Sequence, residues 1–153
     1  MLTKEQENIL YGSLLGDAQI EKNGTSHRIR FEYGLTAKDY IYWLAKKLNP
    51  YSLKVTEYSV YDERTKKKYQ KIKFDTKTDP IFSKYRSMFY SSQTSFKDLL
   101  PSNIEDILAE PLVLTVWTLD DGAKRTDSNA YRLHTEGFTL KNIEKLQTAL
   151  SQH

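Results

Sequence analysis

The 153-residue sequence predicts an α+β fold built on one unit, αββαββα, used once in full and a second time in part. Three observations predict it. Hydrophobic spacing switches between the helical period near 3.6 and the strand period of 2 in a fixed order. Capping and turn residues fall where the period changes. The order then begins again after residue 100, with a second apolar helix that ends, like the first, in an aspartate and a small residue.

The first helix opens on Thr3-Lys4-Glu5-Gln6, a capping box in which Thr3 and Gln6 satisfy backbone N–H groups reciprocally. It runs into Ile9-Leu10-Tyr11-Gly12-Ser13-Leu14-Leu15-Gly16-Asp17. Residues 18–33 read as a hairpin, with Asn23-Gly24 expected to take the positive φ angles of a type I′ turn. In its second strand Ile29, Phe31 and Tyr33 alternate with Arg28, Arg30 and Glu32. A helix from Thr36, capped across to Asp39, places Tyr40, Trp43, Leu44 and Leu48 on one face and stops at Asn49-Pro50.

Residues 52–61 and 67–75 form a second hairpin around the polar segment 62–66, and Asp79-Pro80 opens a third helix through about Tyr90, since proline fits a first helical turn. Pro101-Ser102-Asn103-Ile104-Glu105 reads as another capping box on a short helix. Pro111 then opens the apolar segment 112–122. Polar residues 124–129, a strand near 130–135 and a helix from Thr139 repeat the earlier order. The expected division is a first half, 1–100, and a partial second half, 101–153. By comparison with the first half, the second is short of two strands and a helix, roughly 60–80 residues. The apolar face of the last helix is therefore expected to lack a cover.

Composition narrows the chemistry. A hydrophobic content of 39% is ordinary for a globular protein. The absence of cysteine excludes disulfides, thiolate metal sites and cysteine nucleophiles. A formal charge of +3 permits a nucleic-acid partner without requiring one. The N-terminal segment is polar, and no apolar run is long enough for a bilayer, so no membrane partner is expected. The expected location is intracellular, in cytoplasm or organelle matrix. His27 and His134 lack metal-type spacing partners, and there is no glycine-rich phosphate loop.

Both apolar helices end in acid followed by a small residue: Gly16-Asp17-Ala18 and Asp120-Asp121-Gly122. A carboxylate is poorly placed there, because unpaired carbonyls give a helix C-terminus partial negative charge. Two such ends side by side would repel further. A divalent cation between them removes the conflict, and Mg²⁺ favours a few carboxylates completed by phosphate oxygens and water. Gly12, Ser13 and Gly16 form a small-residue face that admits a partner helix.

These segments resemble the signature motif of the LAGLIDADG homing endonucleases, with residues 10–18 in the nine positions of one motif and 114–122 in those of the second. The stretch 133–139 is similar to the strand-to-helix junction that follows the motif. The resemblance implies a homing-endonuclease-like fold whose two motif helices pack at a pseudo-two-fold axis. It implies a Mg²⁺-dependent, site-specific double-stranded DNA endonuclease of intron homing. Asp17 and Asp121 would be the catalytic metal ligands, with Gly16 and Asp120 beside them and Asp120 the alternative acid. Lys97, ahead of Pro101, matches the lysine that the family places near a metal. Strands along the major groove would present Gln19, Glu21, Arg28, Arg30, Tyr69, Lys71 and Lys73 to DNA, with Arg125 and Arg132 from the second half. Two other readings stand beside this one. The chain could need a second chain or a second copy of itself to complete the missing half. It could instead be an intron-RNA maturase or regulator that keeps the fold without cutting.

Overall fold

The computed structural model describes residues 1–92 and 94–152, with Lys124 described by its backbone alone; Gln93 and His153, the end of the expected second half, lie outside the described residues. The chain forms two compact units, Met1–Asp17 with Ser83–His153, and Ala18–Phe82. The helix that leads into Asp17 groups with the helix that ends in Asp121.

In the unit Ala18–Phe82, strands β1 (Gln19–Asn23), β2 (Ser26–Gly34), β3 (Thr56–Asp62) and β4 (Lys67–Asp75) form one antiparallel sheet in the order β1-β2-β4-β3. The predicted alternation sets its two faces. Ile20 pairs with Ile29, and Phe31 with Phe74, whose rings stack 4.5 Å apart. Ile20, Ile29, Phe31, Ile72 and Phe74 are buried, while the intervening charged residues take the opposite face. Helix α2 (Lys38–Lys47) packs on β2 and β4 and buries Ile41, Leu44 and Leu48. Tyr40 and Trp43 are only half-buried and stack on each other 6.0 Å apart.

Three local expectations are corrected here. Asn23 pairs with Ser26, so the two-residue loop is Gly24-Thr25, and Gly24 alone in it has positive φ, +62°. A positive φ confined to the first loop residue is the type II′ pattern, not I′. Thr36 does not cap a helix: a 3₁₀ turn, Leu35–Ala37, precedes α2, whose N-cap is Ala37 with no side-chain bond. The third strand starts at Thr56 rather than 52, because Ser52 is used in a single bridge to Thr76.

In the other unit, α1 (Lys4–Leu15) opens on the predicted capping box between Thr3 and Gln6. It packs along α5 (Pro111–Asp121), which Pro111 opens as expected. A Cβ on Gly12 would stand 2.7 Å from both the Val113 carbonyl oxygen and Val116 Cβ. That closeness is why the position is glycine. Helix α3 (Ser83–Phe89) follows a 3₁₀ turn, Pro80–Phe82, at which Ile81 N–H donates to Asp79 Oδ1 at 2.8 Å. Helix α4 (Ile104–Leu108) has Asn103 as N-cap with no side-chain bond, so the expected Ser102 capping box does not form. A short hairpin of β5 (Gly122–Lys124) and β6 (Tyr131–Leu133) precedes α6 (Leu140–Leu150), capped by Thr139. Against expectation α6 does have a cover. It packs on α4 and buries Leu146 and Ala149.

Candidate active site

Side-by-side packing of α1 and α5 brings their acidic ends together. Asp17 is exposed and Asp121 half-buried. Their carboxyl groups come within hydrogen-bonding reach of each other. Loss of solvent, and then the charge of Asp17, push the Asp121 carboxyl up to about 6, against opposing pulls from Lys97 and His134. Asp120 plays a different part. Its carboxylate lies against Gly16, where a Cβ would overlap it, and Oδ2 accepts the Asp17 backbone N–H at 3.3 Å. Asp121 thus faces Asp17, and the Asp120 side chain lies against the backbone of the opposite helix end.

Lys97 reaches this point from the segment between α3 and α4. Its ammonium donates to the carbonyl oxygens of Leu14, at 2.8 Å, and Gly16. Those carbonyls belong to the last turn of α1, where intrahelical donors run out. Burial lowers the Lys97 pKa to about 8, and the charges of Asp121, Asp17 and Asp120 restrain the fall. The sequence thus placed Asp17, Asp121, Asp120, Gly16 and Lys97 as candidates, and the structure brings all five to one spot.

The donor set at this spot fits a hard divalent cation. Two facing carboxylates and the Gly16 carbonyl are all oxygens, as Mg²⁺ prefers. A carbonyl oxygen has two lone pairs, so Gly16 can serve Lys97 and an ion together. Among the described residues no group of three or more His, Cys, Asp or Glu side chains is arranged to hold a metal. An ion here would complete its shell with water and phosphate oxygens.

In the sheet, cross-strand register puts Gln19, Glu21, Arg28, Arg30, Tyr69, Lys71 and Lys73 on one face, opposite the buried apolar residues. Most of its charges are already paired. Arg28 bridges Glu21 at 3.2 Å and Asp75 at 3.1 Å; Arg30 bridges the same two acids at 2.9 and 3.2 Å. Lys71 bonds Glu32 at 2.8 Å, and Lys73 lies 4.9 Å over the Tyr58 ring. Glu32 sits below the usual carboxylate range: its desolvation opposes this, but hydrogen bonds from Lys71 and Tyr58 outweigh it. Arg125 and Arg132 line one groove on the β5–β6 hairpin, where Arg125 is paired to Asp127 at 2.5 Å.

Several contributors carry no sequence signal. Asp75 lies at the end of β4, and only the register shows that it joins both arginines. His134 meets the site because the hairpin folds back, so that its N–H donates to the Asp121 carbonyl at 3.1 Å. Asp98 and Asn142 are 44 residues apart and are joined by one hydrogen bond.

Comparison with known proteins follows the same lines. The chain is 32% identical to the DNA endonuclease I-ChuI of Chlamydomonas applanata, over 97% of this chain and 72% of that one. It is 30% identical to the cytochrome b mRNA maturase bI2 of Debaryomyces hansenii, over 97% of this chain and 56% of the relative. The structure of the homing endonuclease I-WcaI bound to its DNA recognition sequence superposes with a TM-score of 0.83 at 25% identity, covering 98% of this chain and 67% of that one. The sequence profile of the LAGLIDADG DNA endonuclease family matches residues 7–153, a span that holds both acid-tipped helices, and the chain belongs to that family.

Proposed function

We propose that this protein is a divalent-metal-dependent endonuclease that binds double-stranded DNA and hydrolyses a phosphodiester at the junction of Asp17 and Asp121. The observation that carries this reading is the meeting of those two carboxyls at the ends of packed helices, with an ammonium beside them. Bound there, Mg²⁺ would supply Lewis-acid polarisation of the phosphate and a more acidic water. Asp17 and Asp121 would hold the ion, and Asp120 keeps the Asp17 backbone in place. Lys97 offers positive charge toward the oxyanion that develops in the transition state. The outward sheet residues Gln19, Glu21, Arg28, Arg30, Tyr69, Lys71 and Lys73, with Arg125 and Arg132, are the proposed DNA contacts. Arginine and lysine there can reach both phosphates and guanine edges.

The test uses a duplex site selected from a randomised library for tight binding in Ca²⁺. Asp17→Asn and Asp121→Asn should each lower Mg²⁺-dependent cleavage by at least about 10³-fold, with affinity for the site within a few-fold of the parent. Normal cleavage by both variants overturns the mechanism. A relative named as an mRNA maturase favours one second reading, in which the same fold binds structured RNA. Intron RNA that displaces the selected duplex at lower concentration than the duplex itself would support it.

We also propose that a second chain, or a second copy, supplies further strands. The β5 and β6 strands have three residues each, against nine in β2 and β4.

A further inference from the structure

We propose that Asn142, on α6, is a positioning residue for Lys97, acting through the backbone of Asp98; the inference rests on the reading of Lys97 as a working group of the site. Lys97 has a long flexible stem, and an ammonium on such a stem needs its backbone fixed before it can be delivered to two carbonyls. The neighbouring residue does the fixing. Asp98 N–H and Leu99 N–H both donate to the Phe89 carbonyl at 3.1 Å, which ties the segment to the end of α3. The Asp98 carboxylate accepts the Ser91 N–H at 2.7 Å and the Thr94 hydroxyl at 3.0 Å. The backbone bond from Ser91 heads the causes that hold this carboxyl below its usual range.

The remaining polar group of Asp98 is its carbonyl, and Asn142 Nδ2 donates to it at 3.0 Å. Asn142 is buried, with 7% of its surface exposed, on the side of α6 that carries Leu146 and Ala149. Its own N–H is fixed by the Thr139 cap at 3.3 Å. An apolar residue at 142 would fill the same helix face and serve the packing on α4 equally well. The amide there adds a donor to the segment that bears Lys97. The consequence is a physical link from the last helix of the chain to the end of the first one, through Asn142, Asp98, Lys97 and the carbonyls of Leu14 and Gly16.

The experiment compares Asn142→Leu with Leu146→Ala in the full chain. Leu146→Ala removes buried apolar surface from the same helix and keeps the Asn142 amide, and so reports what a purely structural role would do. Hydrogen exchange, read by mass spectrometry of the peptide spanning 97–99, reports opening of the segment that bears Lys97 independently of the protonation of its side chain. Asn142→Leu should raise the exchange rate of the Asp98 and Leu99 amides by at least about threefold, as the segment opens locally. Leu146→Ala should leave it unchanged, even where it lowers the melting temperature as much. Equal increases in both variants, or none in Asn142→Leu, overturn the proposal. Should Asn142→Leu not fold, Asn142→Asp takes its place, since its ionised side chain has the same shape and no donor. Cleavage of the selected duplex by Asn142→Leu should fall about tenfold, the scale of one lost hydrogen bond, with duplex affinity unchanged. Raised exchange with full cleavage supports the positioning link and overturns the role given to Lys97 itself.

Discussion

At the tip of α5, the carboxyl of Asp121 is held against Asp17 and against the negative end of its own helix. Such an arrangement opposes folding whenever both acids are ionised. The Asp121 carboxyl, raised to about 6 from 3.8, shows the sign. A raised carboxyl pKa leaves stability unaffected below the unfolded value and removes stability as pH climbs from there to the folded one, above which the loss is complete. In EDTA, Asp121→Asn should therefore stabilise the fold on the order of 1 kcal/mol at pH 7–8, after allowance for solvent screening at a half-exposed group. The gain should fade as pH drops from about 6 toward 4. Thermal melts across that range check it, and a destabilised variant at neutral pH would mean the two acids do not face each other.

At the scale of elements, the helix pair and the sheet each make a demand that can be tested. Gly12 admits α5 to contact distance. Gly12→Val should cost about 1–3 kcal/mol by overpacking and separate the acidic ends. Melting temperature and cleavage should fall together, and cleavage retained after a clear loss of stability would detach the helix contact from the chemistry. In the sheet, Asp75 pairs with both Arg28 and Arg30 and so limits their pull on any phosphate. Asp75→Ala should raise affinity for non-cognate duplex and steepen the slope of log K against log salt by about 1. Preference for the selected site should drop. Unchanged salt dependence would place the two arginines away from DNA. The helices, the hairpin alternation and the outward charged face were legible because each follows from residues close in sequence. The caps at Thr36 and Ser102 were misread, since a capping pattern offers a bond that the entering chain did not take at either place.

For the molecule as a whole, the grouping of segments departs from the order in which they are written. Residues 1–17 belong with 83–153, and the strands between them form their own unit. Among the described residues no helix is long and apolar enough to cross a membrane. If a second copy supplies further strands, light scattering should give a mass above one 17.9 kDa chain, rising with concentration or on addition of the selected duplex. A stable monomer that cuts the duplex alone would dismiss that assembly.

By itself the sequence determined the αβ order and the two acid-tipped helices that end in Asp17 and Asp121, because period and small-residue spacing are local properties; Lys97 followed only from the resemblance to the family. Only the tertiary structure decided which of the paired acids faces Asp17, that Asp75 occupies both sheet arginines, and that Asn142 reaches Asp98. Those depend on register and on helix approach, where partners tens of residues apart meet through packing of the apolar faces between them, and no pattern along the chain encodes such a meeting.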